Sequence, residues 1–428
     1  MINMTSVKKL FLLLCVFYFA GFLSHFVGVF QPASIDMFSQ SAQGSRANQI
    51  VGIVLFVMAL AIFHFSQYSV LDFFKQAFLW LLLILWFALS ISWSSVPFIS
   101  FRRLAAFTIM VFVVYTLVKT FEPQSLLRFF VYAIGIAALM GLLEAVFAPS
   151  RAFIDGGIRD GAFTGMYYDK NGGARVYAYA LLIGVGLKLY QCRAGLAATV
   201  LLTICLLLSR SATAAVMVAA GLTLIFILSV FHTRMANKNA LRLSAIILFG
   251  ALGVFVLYVN YEFILNLLGR DAGLTNRTII WQLLNDYIEA EYVFGYGFGA
   301  FWSSGDVADF IERWSFIGNA HSGYYEAILH GGIVCLALVI ALIWYSVFRA
   351  FKQYVSPYHT SISVIIITIV LLQAVVNYIG YVIINHNSTD MFVFLLVYFI
   401  ACRRTLSYTQ TESIQNVDGR HSIHQYEA

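Results

Sequence analysis

Three residues carry side chains whose chemistry exceeds what packing requires. Arg210 is enclosed in Ser209-Arg210-Ser211, a short turn between two apolar runs. A charge pinned there stays close to the helix ends and calls for an anionic partner. Arg277 opens the segment NRTIIWQLLNDYIEAEY, where Ile280, Leu283, Leu284, Tyr287 and Ile288 recur at i, i+3, i+4 spacing. That spacing predicts an amphipathic helix on a membrane surface. Asn276 would cap it and Arg277 would sit in its first turn, where an anion is favoured. His321 follows in Asn319-Ala-His321-Ser322, directly before another apolar run. An imidazole titrates near about 6.5, which suits proton transfer. Guanidinium groups grip phosphate oxygens bidentately and do not deprotonate. Each residue also has a plainer reading: the arginines pair with acids or reach lipid headgroups, and the histidine bonds a loop carbonyl.

Two further stretches have a binding character. Gly295-Tyr-Gly297-Phe-Gly299-Ala-Phe-Trp302 alternates glycines with aromatics. No strand–helix unit surrounds it, so it is not a dinucleotide fingerprint. Its glycines permit a tight backbone path, and aromatics such as Tyr296 and Trp302 suit a sugar or a membrane interface. The stretch 148–173 supplies Arg159, Asp160 and Tyr167-Tyr-Asp169-Lys170-Asn171-Gly172-Gly173. Its polar, aromatic, glycine-rich composition fits contact with carbohydrate, and equally a capped turn before a helix. No HExxH occurs, the other histidines lack ligand spacing, and no Asp-x-Asp precedes the second apolar run. No metal or cofactor is therefore expected. The five cysteines form no CxxC pair and read as small buried hydrophobes.

The elements that must position these residues are set by composition. The chain of 428 residues is 61% hydrophobic and only 11% charged, with mean hydropathy +0.84. A soluble domain is about 45–50% apolar and about 25% charged. A soluble enzyme, a secreted disulfide scaffold and a disordered chain are excluded. The expected fold is all-α and polytopic in the membrane. About twelve spans are expected, at 8–30, 49–66, 76–92, 103–119, 126–147, 174–190, 194–208, 212–231, 243–265, 323–348, 361–384 and 389–402. The first reads as a retained helix rather than a cleaved signal. Residues 1–402 would form a single transmembrane domain that includes loops at 148–173 and 266–322, and 403–428 a short cytoplasmic tail. With the N-terminus inside, the basic stretches 232–242 and 349–360 fall inside, as do both termini. Both long loops then lie outside. The outside cations are Arg46, Arg102, Arg103, Arg151, Arg159, Lys170, Arg175, Arg210, Arg270, Arg277 and Arg313, all but one of them arginine. The net charge of +6 is thus mainly a signature of topology, and the arginine-rich outer face points to a phosphorylated, lipid-linked group.

In order along the chain, the motifs are Ser90-Ile-Ser92-Trp-Ser-Ser95 with Arg102, Tyr168-Asp-Lys-Asn171-Gly, Ser209-Arg-Ser211, Arg277 with Trp281, Gly295 through Trp302, and His321-Ser322. The set resembles the O-antigen ligase and polymerase superfamily of bacterial inner-membrane proteins, over about residues 80–345. That family's loop motif is His, then Asn, Ser or Gln, nine residues, Gly, two residues, Gly. His321, Ser322 and Gly332 fit, and Cys335 replaces the last glycine. The resemblance implies a glycosyltransferase-C-like helical fold with a large periplasmic loop between spans nine and ten. It implies a glycan donor on undecaprenyl diphosphate, membrane lipids as surroundings, polysaccharide-export components as candidate partners, and no nucleic acid. Arg210 and Arg277 would hold the diphosphate, and His321 would stand at the reacting centre. Arg102, Arg159, Asp169, Lys170, Asn171, Trp281, Tyr296, Trp302 and Ser322 would contact substrate. Two products stay open: ligation of a finished glycan to lipid A–core, and polymerisation onto a lipid-linked repeat unit. A polysaccharide flippase, the reading of another class, would want charges at mid-bilayer, whereas these gather at one face.

Overall fold

The computed structural model describes residues 4–22, 25, 46–155, 160–167, 169–234, 277–313, 319–356, 361–386 and 388–403. The expected span at 243–265, the cap Asn276, the candidate Arg159 and the tail beyond 403 lie outside the described residues. The helices are α1 (Met4–Phe19), α2 (Arg46–Phe65), α3 (Val70–Gln76), α4 (Phe78–Ser90), α5 (Pro97–Thr120), α6 (Pro123–Phe147), α7 (Pro149–Ala152) and α8 (Lys170–Gly186). They continue as α9 (Arg193–Leu208), α10 (Ala212–Arg234), α11 (Arg277–Ala290), α12 (Ala308–Arg313), α13 (Gly323–Tyr354), α14 (Ser361–Val376) and α15 (Thr389–Cys402). Among the described residues β-structure is limited to one isolated bridge, Phe153 to Phe163. The chain is an all-α polytopic membrane protein.

Among the described residues five helices, α2, α5, α6, α10 and α13, are long and apolar enough to cross a membrane, or six if the pair α3–α4 counts as one span. Helices α9, α14 and α15 are shorter but apolar. Short α15 is buried on every side from Asp390 to Cys402, as a helix in the centre of a bundle must be. Helix α13 packs on α14, α8 packs on α6, α9 and α10, and α2 packs on α5.

One expected span gains a bent lead-in and another ends early. The stretch 76–92 holds α4, and α3 precedes it at a bend of 80°, with the break at Ala77. Ser69 caps α3 by accepting from the Asp72 nitrogen at 3.2 Å, so this short turn starts a helix of its own. The stretch 361–384 stays helical only to Val376. Beyond it, Asn377 Oδ1 accepts the Val382 and Ile383 backbone N–H groups at 3.3 and 2.8 Å. The side chain thereby replaces the helical acceptors, and the chain turns.

Hydrogen bonds sort the helix ends into two sets. At one end Arg403 donates to the Val118 and Phe121 carbonyls, Arg349 to the Cys402 carbonyl, and Tyr398 to the Gln76 carbonyl. Lys119 pairs with Asp72 there. This basic end also holds the starts of α1, α6 and α9. At the other end Thr389 donates to the Phe19 carbonyl, the Phe163 nitrogen to the Leu208 carbonyl, and Ser211 to Asn171. Every described sequence motif lies at this second end.

Candidate functional site

The glycine–aromatic stretch is a wedge between two elements. Gly295, Gly297 and Gly299 all have left-handed backbones, with φ of 62°, 96° and 67°. A Cβ on Gly295 would lie 2.7 Å from the Gly331 and Gly332 nitrogens and the Ile328 carbonyl oxygen. One on Gly297 would lie 2.7 Å from Ser94 Cβ. The alternation of glycines is thus a record of close approach on two sides. On one side the Phe298 nitrogen donates to Ser90 Oγ at 3.1 Å, Ser304 and Ser95 share a bond of 2.7 Å, and Arg103 donates to the Gly299 carbonyl. On the other side α13 is broken at Gly331 and Gly332. The Tyr296 nitrogen donates to the Leu329 carbonyl at 2.8 Å, and the Ile333 nitrogen to the Tyr292 carbonyl at 2.9 Å. Groups released by the helix break are satisfied by the wedge, as apolar surroundings demand. Trp86 closes the joint by donating to the Gly331 carbonyl at 2.8 Å.

His321 sits on the turn just before α13, half-buried, with a left-handed φ of 49°. Its backbone nitrogen donates to Asn319 Oδ1 at 2.8 Å. Next along, the Gly323 nitrogen donates to the Asn377 and Gly380 carbonyls at 2.7 and 2.9 Å, fastening the turn to the segment after α14. Trp281, one turn into the helix that Arg277 opens, donates to the Ala320 carbonyl at 2.9 Å and stacks on Tyr325. Arg277 and His321 are therefore carried by elements tied at a single peptide. Ser322 is fully buried, and its Oγ has no hydrogen-bond partner among the described residues.

Arg210 is exposed on the α9–α10 turn, also left-handed at φ 49°. Its neighbour Ser211 donates to Asn171 Oδ1 at 3.0 Å, so the Arg210 turn and the start of α8 are one unit. Asp169 caps α8 by accepting the Gly172 nitrogen at 2.8 Å, and Lys170 is buried in the first turn. Arg175 on the same helix makes a buried pair with Asp390 at 2.8 Å, with Tyr179 donating to the same carboxylate at 3.0 Å. That pair joins α8 to α15, whose preceding segment, 377–388, carries the Asn377 and Gly380 carbonyls that hold Gly323. Arg210, Arg277 and His321 thus share one end of the bundle through a continuous chain of bonds.

Other candidates face inward. Trp302 is buried and donates to Glu326 at 3.0 and 3.2 Å, and Tyr296 donates to the Tyr287 carbonyl at 3.0 Å. Their indole and phenol groups bond protein, as Trp281 does. Arg102 stands half-buried at the start of α5 beside Arg103. Arg103, read from the sequence only as one of the outer cations, and Glu326, Asn377 and His386, which were not among the candidates, complete the region. His330, buried behind Glu326, shares a bond of 2.8 Å with Tyr381. His386, on the segment before α15, is pushed down to about 3 by burial and by the guanidinium groups of Arg103 and Arg102, and so stays neutral. Glu326 had one legible signal, an acid in the first turn of an apolar helix, where it meets the helix dipole. Among the described residues no three His, Cys, Asp or Glu side chains gather as a metal site would require.

Two comparisons bear on this arrangement. Residues 196–340 match a family model described as O-antigen ligase. The chain is also 25% identical over 346 residues to the exopolysaccharide production protein ExoQ of Rhizobium meliloti (strain 1021), covering 72% of this chain and 78% of the relative. Together they support the O-antigen ligase and polymerase superfamily for this chain.

Proposed function

We propose that this protein, as a member of that superfamily, transfers a glycan from undecaprenyl diphosphate to an acceptor hydroxyl. Its part in the cell is surface polysaccharide biosynthesis, which both matches support. The observation that carries the mechanism is the Trp281–Ala320 bond, which ties the Arg277 helix to the His321 turn at the end of the bundle where Arg210 lies. In the reaction the acceptor oxygen attacks the donor sugar's C1. Its proton passes to His321, and the bond from C1 to the diphosphate oxygen breaks. The diphosphate departs with the electron pair, and Arg210 and Arg277 stabilise the charge it gains. Direct displacement inverts the anomeric centre.

The acceptor is proposed to be a lipid-linked repeat unit, because the relative's name speaks of exopolysaccharide production. The active face is proposed to be periplasmic in the bacterial inner membrane, with both termini cytoplasmic. Purified protein would be given lipid-linked repeat units in one reaction and lipid A–core with a finished lipid-linked glycan in another. Chain growth in the first supports polymerisation. Transfer to core without chain growth would replace that reading with ligation. EDTA should leave the rate unchanged, and loss restored by Mg²⁺ would show that a metal takes part.

A further inference from the structure

The His321 turn has a left-handed backbone, an arrangement a β-carbon disfavours and that persists only where surroundings over-determine it. The determinants converge on the peptides flanking Ala320. Trp281 takes the Ala320 carbonyl. The Ala320 nitrogen donates to Glu326 Oε1 at 2.6 Å, a short bond to a fully buried carboxylate. Trp302 donates to both oxygens of the same carboxylate, and His330 Nε2 lies 3.7 Å from Oε2. Glu326 therefore bonds at once to the residue before His321 and to the end of the glycine–aromatic wedge. A buried carboxylate persists only when hydrogen-bonded, and the bonds this one accepts come from the backbone of the turn and from the wedge.

We propose that Glu326 is the positioning residue for His321: it holds the Ala320 peptide so that the imidazole meets the acceptor hydroxyl. The proposal rests on the role assigned to His321 above. Glutamate is the fitting residue because, when ionised, its two oxygens accept only. Glutamine has the same volume but offers one acceptor oxygen, and its NH₂ would face the Trp302 N–H or the Ala320 N–H, donor against donor.

Glu326→Gln and Trp302→Phe would be purified and compared with the wild type in glycan transfer, resolving kcat from donor KM. Hydrogen exchange at the Ala320 amide would be followed in the same preparations. Misplacing a reacting group by about 1 Å costs on the order of 100-fold in rate. Glu326→Gln should therefore lose about 10- to 100-fold in kcat with donor KM within about twofold, and exchange at Ala320 should accelerate. Trp302→Phe, which keeps the Ala320 bond, should lose less. Folded Glu326→Gln with wild-type kcat overturns the proposal, as does a loss confined to KM. If Glu326→Gln fails to fold, Trp302→Phe decides: a kcat loss without faster Ala320 exchange overturns it. A wild type that transfers no glycan overturns the functional reading instead, and Ala320 exchange in Glu326→Gln still tests whether Glu326 holds the turn.

Discussion

At the scale of single residues, type and spacing carried the candidates and geometry sorted them. Arg210 and His321 share a backbone feature that no composition shows: both are left-handed at φ 49°. Each is held by an adjacent polar contact, Ser211 to Asn171 in one case and Asn319 to the His321 nitrogen in the other. Functional side chains on strained turns are a recognised pattern. Arg210→Ala, Arg277→Ala and His321→Ala should each remove glycan transfer, by about 100-fold or more if each stabilises developing charge or moves the proton. The proteins should still reach the membrane in wild-type amounts. Full activity in any one variant, measured on purified protein, removes that residue from the mechanism. The sequence could not distinguish Trp302 from a sugar-stacking aromatic. Its partner Glu326 lies 24 residues along, and only the fold brings the two together.

At the scale of elements, the length of apolar runs located the spans, because lipid leaves the backbone no other local solution. The places it misjudged are breaks made by a single polar side chain or by glycines: Asn377 at the end of α14, and Gly331–Gly332 within α13. Such breaks depend on what the freed groups bond to, and those partners are distant in sequence. The wedge shows the energetic consequence. Gly295→Ala would combine a left-handed backbone, costing about 1–2 kcal/mol, with overpacking against backbone atoms, costing about 1–3 kcal/mol. Gly305, with nothing within 4 Å of a Cβ, is the matched control. Thermal unfolding in detergent should show a clear loss for Gly295→Ala and almost none for Gly305→Ala. Equal behaviour would mean the wedge does not dock on α13. The Arg175–Asp390 pair tests the joint between α8 and α15 in the same assay. Arg175→Met leaves a buried carboxylate unpaired and should destabilise by about 3–5 kcal/mol. Adding Asp390→Leu should recover much of that loss.

At the scale of the whole molecule, charge sorted by end is the feature that links fold to function. Among the described residues the basic end gathers Lys8, Lys9, Lys75, Lys119, Arg128, Lys188, Arg193, Arg349, Lys352 and Arg403, with lysine and arginine mixed, while the motif end holds Arg46, Arg102, Arg103, Arg151, Lys170, Arg175, Arg210, Arg277 and Arg313, all but one of them arginine. Lysine and arginine excess in short loops marks the cytoplasmic side. The motif end would then meet the periplasm, the side on which the proposed reaction requires it. The chain carries its own probe of this. Of its five cysteines, Cys15, Cys205, Cys335 and Cys402 are buried, and only Cys192 is exposed. Cys192 lies at the basic end, between Leu189–Gln191 and α9. A hydrogen bond from Tyr132 Oη, 3.6 Å away, lowers its thiol pKa below the usual value and favours the reactive thiolate. A membrane-impermeant maleimide should therefore leave Cys192 untouched in intact spheroplasts and modify it after permeabilisation. Glu291→Cys, exposed beside the wedge at the opposite end, should behave in reverse in a Cys192→Ser background. Labelling of Cys192 from outside, with Glu291→Cys protected, would put Arg210, Arg277 and His321 in the cytoplasm. A periplasmic glycan donor could then not reach them, and the proposed reaction would fail at the level of topology, whatever the point variants showed.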